Sequence, residues 1–138
     1  MRVVVDTNVW VSSLIVPSGA PGRVIEEVRR GRVKALASWR LAEEIVEVLR
    51  RPKVRRYLVG EPDVVEILHL LAPLLPDIEM ETPVRDPDDL VVVASAFASA
   101  ADAIVTGDSD LLDDGALRAL LLEKGIEILT PPELLSRL

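Results

Sequence analysis

Carboxylates that could take part in chemistry stand just beyond two apolar runs of this sequence. Asp6 directly follows the run of valines at 3–5, and Asp108 follows the apolar run 103–105 after two intervening residues. Short β-branched runs of this kind are typical of strands buried on both faces of a parallel sheet. Ligands of such sheets collect outside the carboxyl ends of the strands. Asp6 and Asp108 could therefore meet at one crevice.

Helical geometry selects a third acid. Ser38 is a plausible N-cap for a helix that runs to about Arg50, and its apolar stripe consists of Leu41, Ile45, Val48 and Leu49. At about 100° per residue, Glu43 and Glu47 lie nearly opposite that stripe, whereas Glu44 lies at the border of the buried face. Glu44 is thus the acid best able to reach a site, although an exposed helix acid has the same spacing.

A fourth acid stands near the start of the apolar segment 90–101. Asp86 as N-cap and Pro87 at the first helical position favour a buried helix here, although propensity alone would allow a strand. Asp89 then occupies the third position, where an acid also suits the helix dipole. Asp89 is therefore either a site residue or a structural acid. The same alternative holds for Asp108, which could simply cap a short helix.

These acids have the chemistry of a site for a hard cation. Carboxylates brought together repel one another, so a cation must enter or some must be protonated. The sequence has no cysteine and a single histidine, and oxygen ligands without these residues suit Mg²⁺ or Mn²⁺. Such ions can activate water for attack on a phosphodiester. Asp86 and Asp110 are outer candidates for the same site.

Basic residues are concentrated directly after the helix that carries Glu44. Residues 1–60 contain 12 Lys or Arg against 6 Asp or Glu, whereas residues 61–138 contain 4 against 17. This asymmetry indicates a cation site beside a surface for anions, and ordinary solvated faces would explain it equally. We predict phosphate contacts for the densest group of positive charges, which comprises Arg50, Arg51, Lys53, Arg55 and Arg56.

Strands and helices alternate along the 138 residues, which indicates one α/β domain spanning 1–138. The predicted strands are 3–5, 33–37, 103–105 and 126–129, with 78–80 as a short candidate. The predicted helices are 23–30, 38–50, 62–75, 90–101, 116–124 and one that starts after Thr130, while 17–22 is predicted to be a plain connection. The apolar arc of the helix 62–75 is wider than one core face requires, which favours either a partner chain or burial on two sides.

Composition limits the compartment and the source. Without cysteine there is no disulfide, and no apolar run has the length of a signal peptide or a membrane span, so we expect a cytoplasmic protein. Asn8 is the single asparagine and glutamine is absent. Scarce amides together with many charges point to a thermophilic source.

Four segments in order resemble motifs of the PIN domain family. They are 5–8 (VDTN), Glu44-Ile45, 86–89 (DPDD) with Ala96 seven residues on, and 105–112 (VTGDSDLL). The resemblance extends over nearly the whole chain. The branch it is most similar to is that of the toxins of toxin–antitoxin systems, near the VapC-like ribonucleases.

This resemblance implies a three-layer α/β/α sandwich whose central parallel sheet has the order 3-2-1-4-5, with Asp6 and Asp108 on neighbouring strands. It implies an endoribonuclease that depends on Mg²⁺ or Mn²⁺. Family members commonly form homodimers or higher oligomers, and the toxins pair with a small antitoxin protein. The implied metal ligands are Asp6, Glu44, Asp89 and Asp108, with Asp110 as a further candidate; Asn8, Thr106, Asp110 and Asp86 are supporting positions.

The sequence also allows two other interpretations. A phosphohydrolase of the haloacid dehalogenase type also begins with a strand-end aspartate, but its chemistry requires Asp-x-Asp where this chain has Asp6-Thr7-Asn8. A PIN-like module could also bind RNA or a partner protein without cleaving anything. The presence of all the implied metal-binding acids argues against a module that does not cleave, and a cleavage assay separates that module from a nuclease.

Overall fold

A parallel sheet lies at the centre of the computed structural model, which describes residues 1–58, 61–71, 73–80 and 89–138. Strands β1 (Arg2–Val5), β2 (Lys34–Leu36), β3 (Ala103–Val105) and β4 (Glu127–Leu129) are arranged in the order β2-β1-β3-β4. Every neighbouring pair is parallel, and Val5 at the end of β1 lies opposite Val105 at the end of β3. The two strands that precede Asp6 and Asp108 are therefore neighbours, as predicted.

Helices cover both faces of this sheet. Successive residues of a strand point to opposite faces, and all three residues of β3, like the three valines of β1, are at most 1% exposed. This burial requires a helical layer on each side, which confirms the predicted α/β/α architecture. The helices are α1 (Thr7–Ile15), α2 (Ala20–Arg29), α3 (Trp39–Leu49), α4 (Pro52–Arg55), α5 (Glu61–Leu70), α6 (Asp89–Ser99), α7 (Ser109–Leu112), α8 (Gly115–Glu123) and α9 (Pro131–Leu135).

The edge of the sheet beside β2 differs from the prediction. Residues 78–80 do not form a strand. Among the described residues, this edge carries an isolated parallel bridge between Leu75 and Ser38, which lies two residues beyond β2. The reason is that α3 begins at Trp39, so no extended partner continues beyond the bridge. The side chain of Asp77 instead accepts a 2.9 Å hydrogen bond from a backbone N–H in the first turn of α3.

Capping residues set the starts of several helices. The Ser38 hydroxyl accepts a 3.2 Å hydrogen bond from the Leu41 N–H, which confirms Ser38 as the N-cap of α3. Thr130 and Glu133 form a capping box at the start of α9. The predicted start of α6 at Asp86 and Pro87 lies outside the described residues.

The predicted connection 17–22 is shorter than expected, because α2 already begins at Ala20. Pro21 is tolerated there, since the N–H groups of a first helical turn have no intrahelical acceptor. Gly22 is required by packing, because a Cβ at this position would lie 2.0 Å from the carbonyl oxygen of Pro17.

The wide apolar arc of α5 has two destinations. Val64 and Ile67, together with Leu71 just beyond the helix, are buried in the core. Leu68 and Leu74 line a groove of about 480 Å³ against the outer face of α3, where Trp39 is 55% exposed. Trp10, in contrast, is fully buried in α1. Within the described ranges, no helix is both long and apolar enough to cross a membrane.

Candidate functional site

Asp6 lies at the centre of the candidate site, at the junction between a strand and a helix. It follows β1 and caps α1, and the residue is only 6% exposed. The Thr7 N–H donates to Oδ1 at 2.8 Å, while the Asn8 amide and the Thr106 hydroxyl donate to Oδ2 at 3.2 and 2.7 Å. These three donors fix the orientation of a carboxylate that is largely removed from water.

Two further aspartates come close to Asp6. One carboxylate oxygen from each of Asp6, Asp89 and Asp108 lies within 4.8 Å of the others. Asp89 is buried at the start of α6, and Asp108 is half-buried as the N-cap of α7, where its Oδ1 accepts the Asp110 N–H at 2.9 Å. The two strand-end acids therefore meet as their positions predicted, and the helix acid Asp89 joins them.

Glu44 lines the same cleft from α3. The Thr7 hydroxyl donates a 2.6 Å hydrogen bond to Glu44 Oε2, although Glu44 is not part of the group of three close carboxylates. Glu43 lines the apolar groove on the other side of α3. Of these two glutamates, Glu44 is thus the one that lines the cleft, on the side that the helical wheel indicated.

The supporting residues connect the two strand ends. The Thr106 hydroxyl donates to Asp6 and accepts the Asp108 N–H at 3.0 Å, so one side chain bridges both acids. The side-chain oxygen Oδ1 of Asn8 accepts a 3.3 Å hydrogen bond from the Gly107 N–H, while the Nδ2 group of the same side chain donates to Asp6. Asp110 contributes its backbone N–H to Asp108, and Asp86 lies outside the described residues.

The electrostatics of the cleft are unfavourable for three ionised acids. Burial raises the pKa of the Asp6 carboxyl above its ordinary value of 3.8, and the nearby Asp108 carboxylate raises that pKa further. The hydrogen bonds from Thr106, Thr7 and Asn8 act in the opposite direction but do not cancel the effect. A divalent cation would relieve this repulsion, and carboxylate oxygens are the ligands that Mg²⁺ and Mn²⁺ prefer. The donor set therefore fits a hard metal ion.

The cleft has a volume of about 380 Å³, and among the residues that the structure describes its lining includes one cation, Arg51. Of the five positive residues predicted to bind phosphate, Arg51 lines this cleft, whereas Arg50 lines the apolar groove on the other side of α3. Lys53, Arg55 and Arg56 are exposed in and beside α4, and Arg56 lies 5.6 Å from the ring centre of Tyr57. The basic segment is thus divided between different surfaces.

Sequence reasoning missed Thr7, whose hydroxyl holds Glu44, and the cleft-lining residues Val11, Ser12 and Val48. A signal was available for the first of these. Asp6 is a good N-cap residue, and a helix starting at Thr7 would have brought the first turn of α1 to the site.

Comparisons with known proteins agree with this geometry. A model of the PIN domain family matches residues 2–110. The uncharacterized protein MJ1680 of Methanocaldococcus jannaschii is 34% identical over 115 residues, which cover 81% of this chain and 74% of that protein. No solved structure matches the chain. The matched region runs from β1 to the start of α7, and the acids near its two ends, Asp6 and Asp108, lie in one cleft. This chain therefore belongs to the PIN domain family, whose members are generally nucleases and often metal-dependent.

Proposed function

We propose that this protein is a metal-dependent endoribonuclease that hydrolyses phosphodiester bonds of RNA, and that it is the toxin of a toxin–antitoxin pair. The observation that supports the proposal most is the convergence of three carboxylate oxygens within 4.8 Å in an open cleft of a PIN domain. Membership of this family leaves no support for the haloacid-dehalogenase-type alternative. We further propose that residues 1–138 form one functional domain.

The proposed ligands are Asp6, Asp89 and Asp108, with Glu44 completing the site from α3 and Asp110 as an outer ligand. A bound Mg²⁺ or Mn²⁺ would supply Lewis-acid activation of water and of the phosphate. The chain itself orients the ligands, because Thr106 bridges Asp6 and Asp108, and Thr7 holds Glu44. Asn8 would act with Thr106 as a positioning residue, and Asp86 remains a supporting candidate.

RNA would approach over the basic segment after α3. Arg50, Arg51, Lys53, Arg55 and Arg56 all lie in the described part of the chain, and the last three are exposed around α4, where they could contact flanking phosphates. The acidic cleft then receives the reacting phosphodiester. This division of charge follows the asymmetry seen along the sequence.

The proposed partners follow from the same assignment. A toxin of this class would have a small antitoxin, would be found in the cytoplasm, and would form homodimers or larger homo-oligomers. The apolar groove between α3 and α5 supports an interaction of this kind, because Trp39, Leu68 and Leu74 leave apolar surface open to solvent.

A cleavage assay with single-stranded RNA tests the enzymatic proposal. The parent should cleave RNA with Mg²⁺ or Mn²⁺ and not with chelator, and Asp6→Asn should abolish cleavage because it removes one charged ligand. Glu123→Gln, which removes an exposed acid at the end of α8, should leave activity unchanged.

Two results would reverse the assignment. Cleavage that persists in Asp6→Asn would show that the three-acid cleft is not the reacting site. RNA binding by the parent without turnover under any of these conditions would instead favour a non-catalytic PIN-like module that binds RNA or a protein.

A further inference from the structure

Arg51 occupies a position that no other residue of the basic segment shares. Glu44, Val48 and Arg51 are spaced i, i+4 and i+7 along and just beyond α3, so they form one stripe, and all three line the acid cleft. Arg50 is turned about 100° away and lines the apolar groove together with Trp39. Arg51 therefore lines the cleft on the same stripe as Glu44.

The surroundings of Arg51 leave it able to reach a ligand. Its side chain is 61% exposed, and it forms a loose ion pair of 3.6 Å with Glu47, which is 74% exposed and lines the other groove. Exposed pairs of this kind contribute little to stability. An anion entering the cleft could therefore take Arg51 from Glu47 at small cost.

Among the described residues that line the cleft, acids outnumber cations, and one divalent metal ion would offset only part of their charge. Asp6, Glu44, Asp89 and Asp108 all line the cleft, and a phosphodiester brings another negative charge. A guanidinium presents a planar fork of donors that matches two phosphate oxygens, and it stays charged at every physiological pH. At about 380 Å³ the cleft is at the small end for a ligand pocket, so it can take only the reacting part of a polymer.

We propose that Arg51 binds the phosphate of the nucleotide that occupies the acid cleft, while the other basic residues act outside it on flanking phosphates. This inference rests on the proposed nuclease function and assigns a substrate-binding residue within it. Glu47 is then a competitor that holds Arg51 until substrate arrives.

A short competitor separates the cleft from the flanking surface. A single-stranded trinucleotide spans little more than the cleft, and its inhibition constant is measured against cleavage of an RNA longer than about 16 nucleotides, which would also cover the flanking surface. Arg51→Ala should weaken trinucleotide binding about tenfold, as expected for the loss of one charge-assisted hydrogen bond. Arg50→Ala removes the same charge one residue earlier and should leave this constant unchanged. Arg51→Lys, which keeps the charge without the fork, should fall between the parent and Arg51→Ala.

A second readout does not depend on turnover. In chelator, filter binding of the long RNA at several salt concentrations should give a slope of log K against log salt that is flatter by about 0.7 in Arg51→Ala. Glu47→Gln should tighten trinucleotide binding by releasing Arg51. Glu43→Gln, which removes a charge one turn earlier on the groove side, should have a smaller effect.

The outcomes distinguish this inference from the function on which it rests. If the parent cleaves long RNA but Arg51→Ala and Arg50→Ala bind the trinucleotide equally well, Arg51 has no special role. The same holds if the trinucleotide fails to compete in the parent. If the parent neither binds nor cleaves RNA, the proposed function itself is wrong, and the assignment of Arg51 is lost with it.

Discussion

At the scale of single residues, Asp6 combines good hydrogen bonding with poor electrostatics. Three donors hold its carboxylate, yet burial and the neighbouring Asp108 leave the pKa of Asp6 raised. A positive charge bound among these carboxylates would therefore stabilise the site.

This imbalance predicts how stability depends on pH and metal. In chelator at neutral pH, Asp6→Asn should melt at the same temperature as the parent or higher, because it removes a buried charge. The folded state binds the Asp6 proton more tightly than the unfolded state does, so the parent should regain stability as pH falls through the raised pKa. That gain should be complete below the ordinary value of 3.8.

Metal should act only through the intact site. Mn²⁺ at about 100 times its Kd should stabilise the parent by roughly 2.7 kcal/mol, and Asp6→Asn should lose most of this gain. Asp114→Asn, at the N-cap of α8, should keep the full metal response. The metal-site assignment fails if Asp6→Asn melts below the parent in chelator and still shows the Mn²⁺ shift.

Most residues of the site could be placed from sequence because their positions depend on local rules. Asp6 and Asp108 follow apolar strands, and the ends of neighbouring parallel strands lie together. Glu44 follows from the helical repeat of α3. Thr7 was missed although the N-cap rule for Asp6 would have placed it at the start of α1. The position of Arg51 on the cleft could not be assigned in this way, because it depends on how α3 lies across the sheet.

At the scale of elements, a buried pair of serines joins the two helices that bring acids to the cleft. The Ser95 hydroxyl of α6 donates a 2.9 Å hydrogen bond to the hydroxyl of Ser38, which caps α3. The start of α3, which carries Glu44, is thereby tied to α6, which begins at Asp89. This link sets the position of one wall of the cleft relative to the other.

Replacing the cap should therefore affect both stability and activity. Ser38→Ala should lower the free energy of unfolding by about 1 kcal/mol, as for other lost N-caps, and should also reduce RNA cleavage under folding conditions. Thr130→Ala removes the cap of α9 at a similar cost, but Thr130 does not line the cleft, so activity should be retained. Urea unfolding with cleavage rates tests the pair, and equal loss of activity in both variants would contradict a specific role for Ser38.

The elements themselves were predictable where a local signal agreed with the fold. Thr130 begins a helix and Gly125, with a φ of 73°, ends one, as their residue types indicate. The strand predicted at 78–80 does not form because a strand needs an extended partner beside it, and the neighbouring segment of the chain has already entered α3. A propensity for extended structure cannot reveal that the partner ends.

At the scale of the whole molecule, the groove between α3 and α5 leaves apolar surface that the core does not use. The wide apolar arc of the predicted helix 62–75 favoured either a partner chain or burial on two sides. The structure buries one side of α5 and leaves Leu68 and Leu74 beside the exposed Trp39. Burial within the chain thus explains only part of the arc.

We predict self-association through this groove. An obligate interface of this type would bury about 2,000 Å² or more, and light scattering at micromolar concentration should show at least a dimer. Trp39→Glu should give a monomer, because it places a charge in the apolar surface. Leu122→Glu changes an equally exposed residue on α8 and should not alter the mass. A monomeric parent would refute the prediction and leave the groove to another partner.

The contrast between the two tryptophans also gives the molecule a pair of optical probes. Trp10 is fully buried in the helix that Asp6 caps, and Trp39 stands more than half exposed in the groove. Their emission should therefore separate into a blue-shifted component shielded from iodide and a red-shifted component that iodide quenches. Trp39→Phe would leave a signal from the core alone, while quenching of Trp39 in the parent would report when the groove is covered.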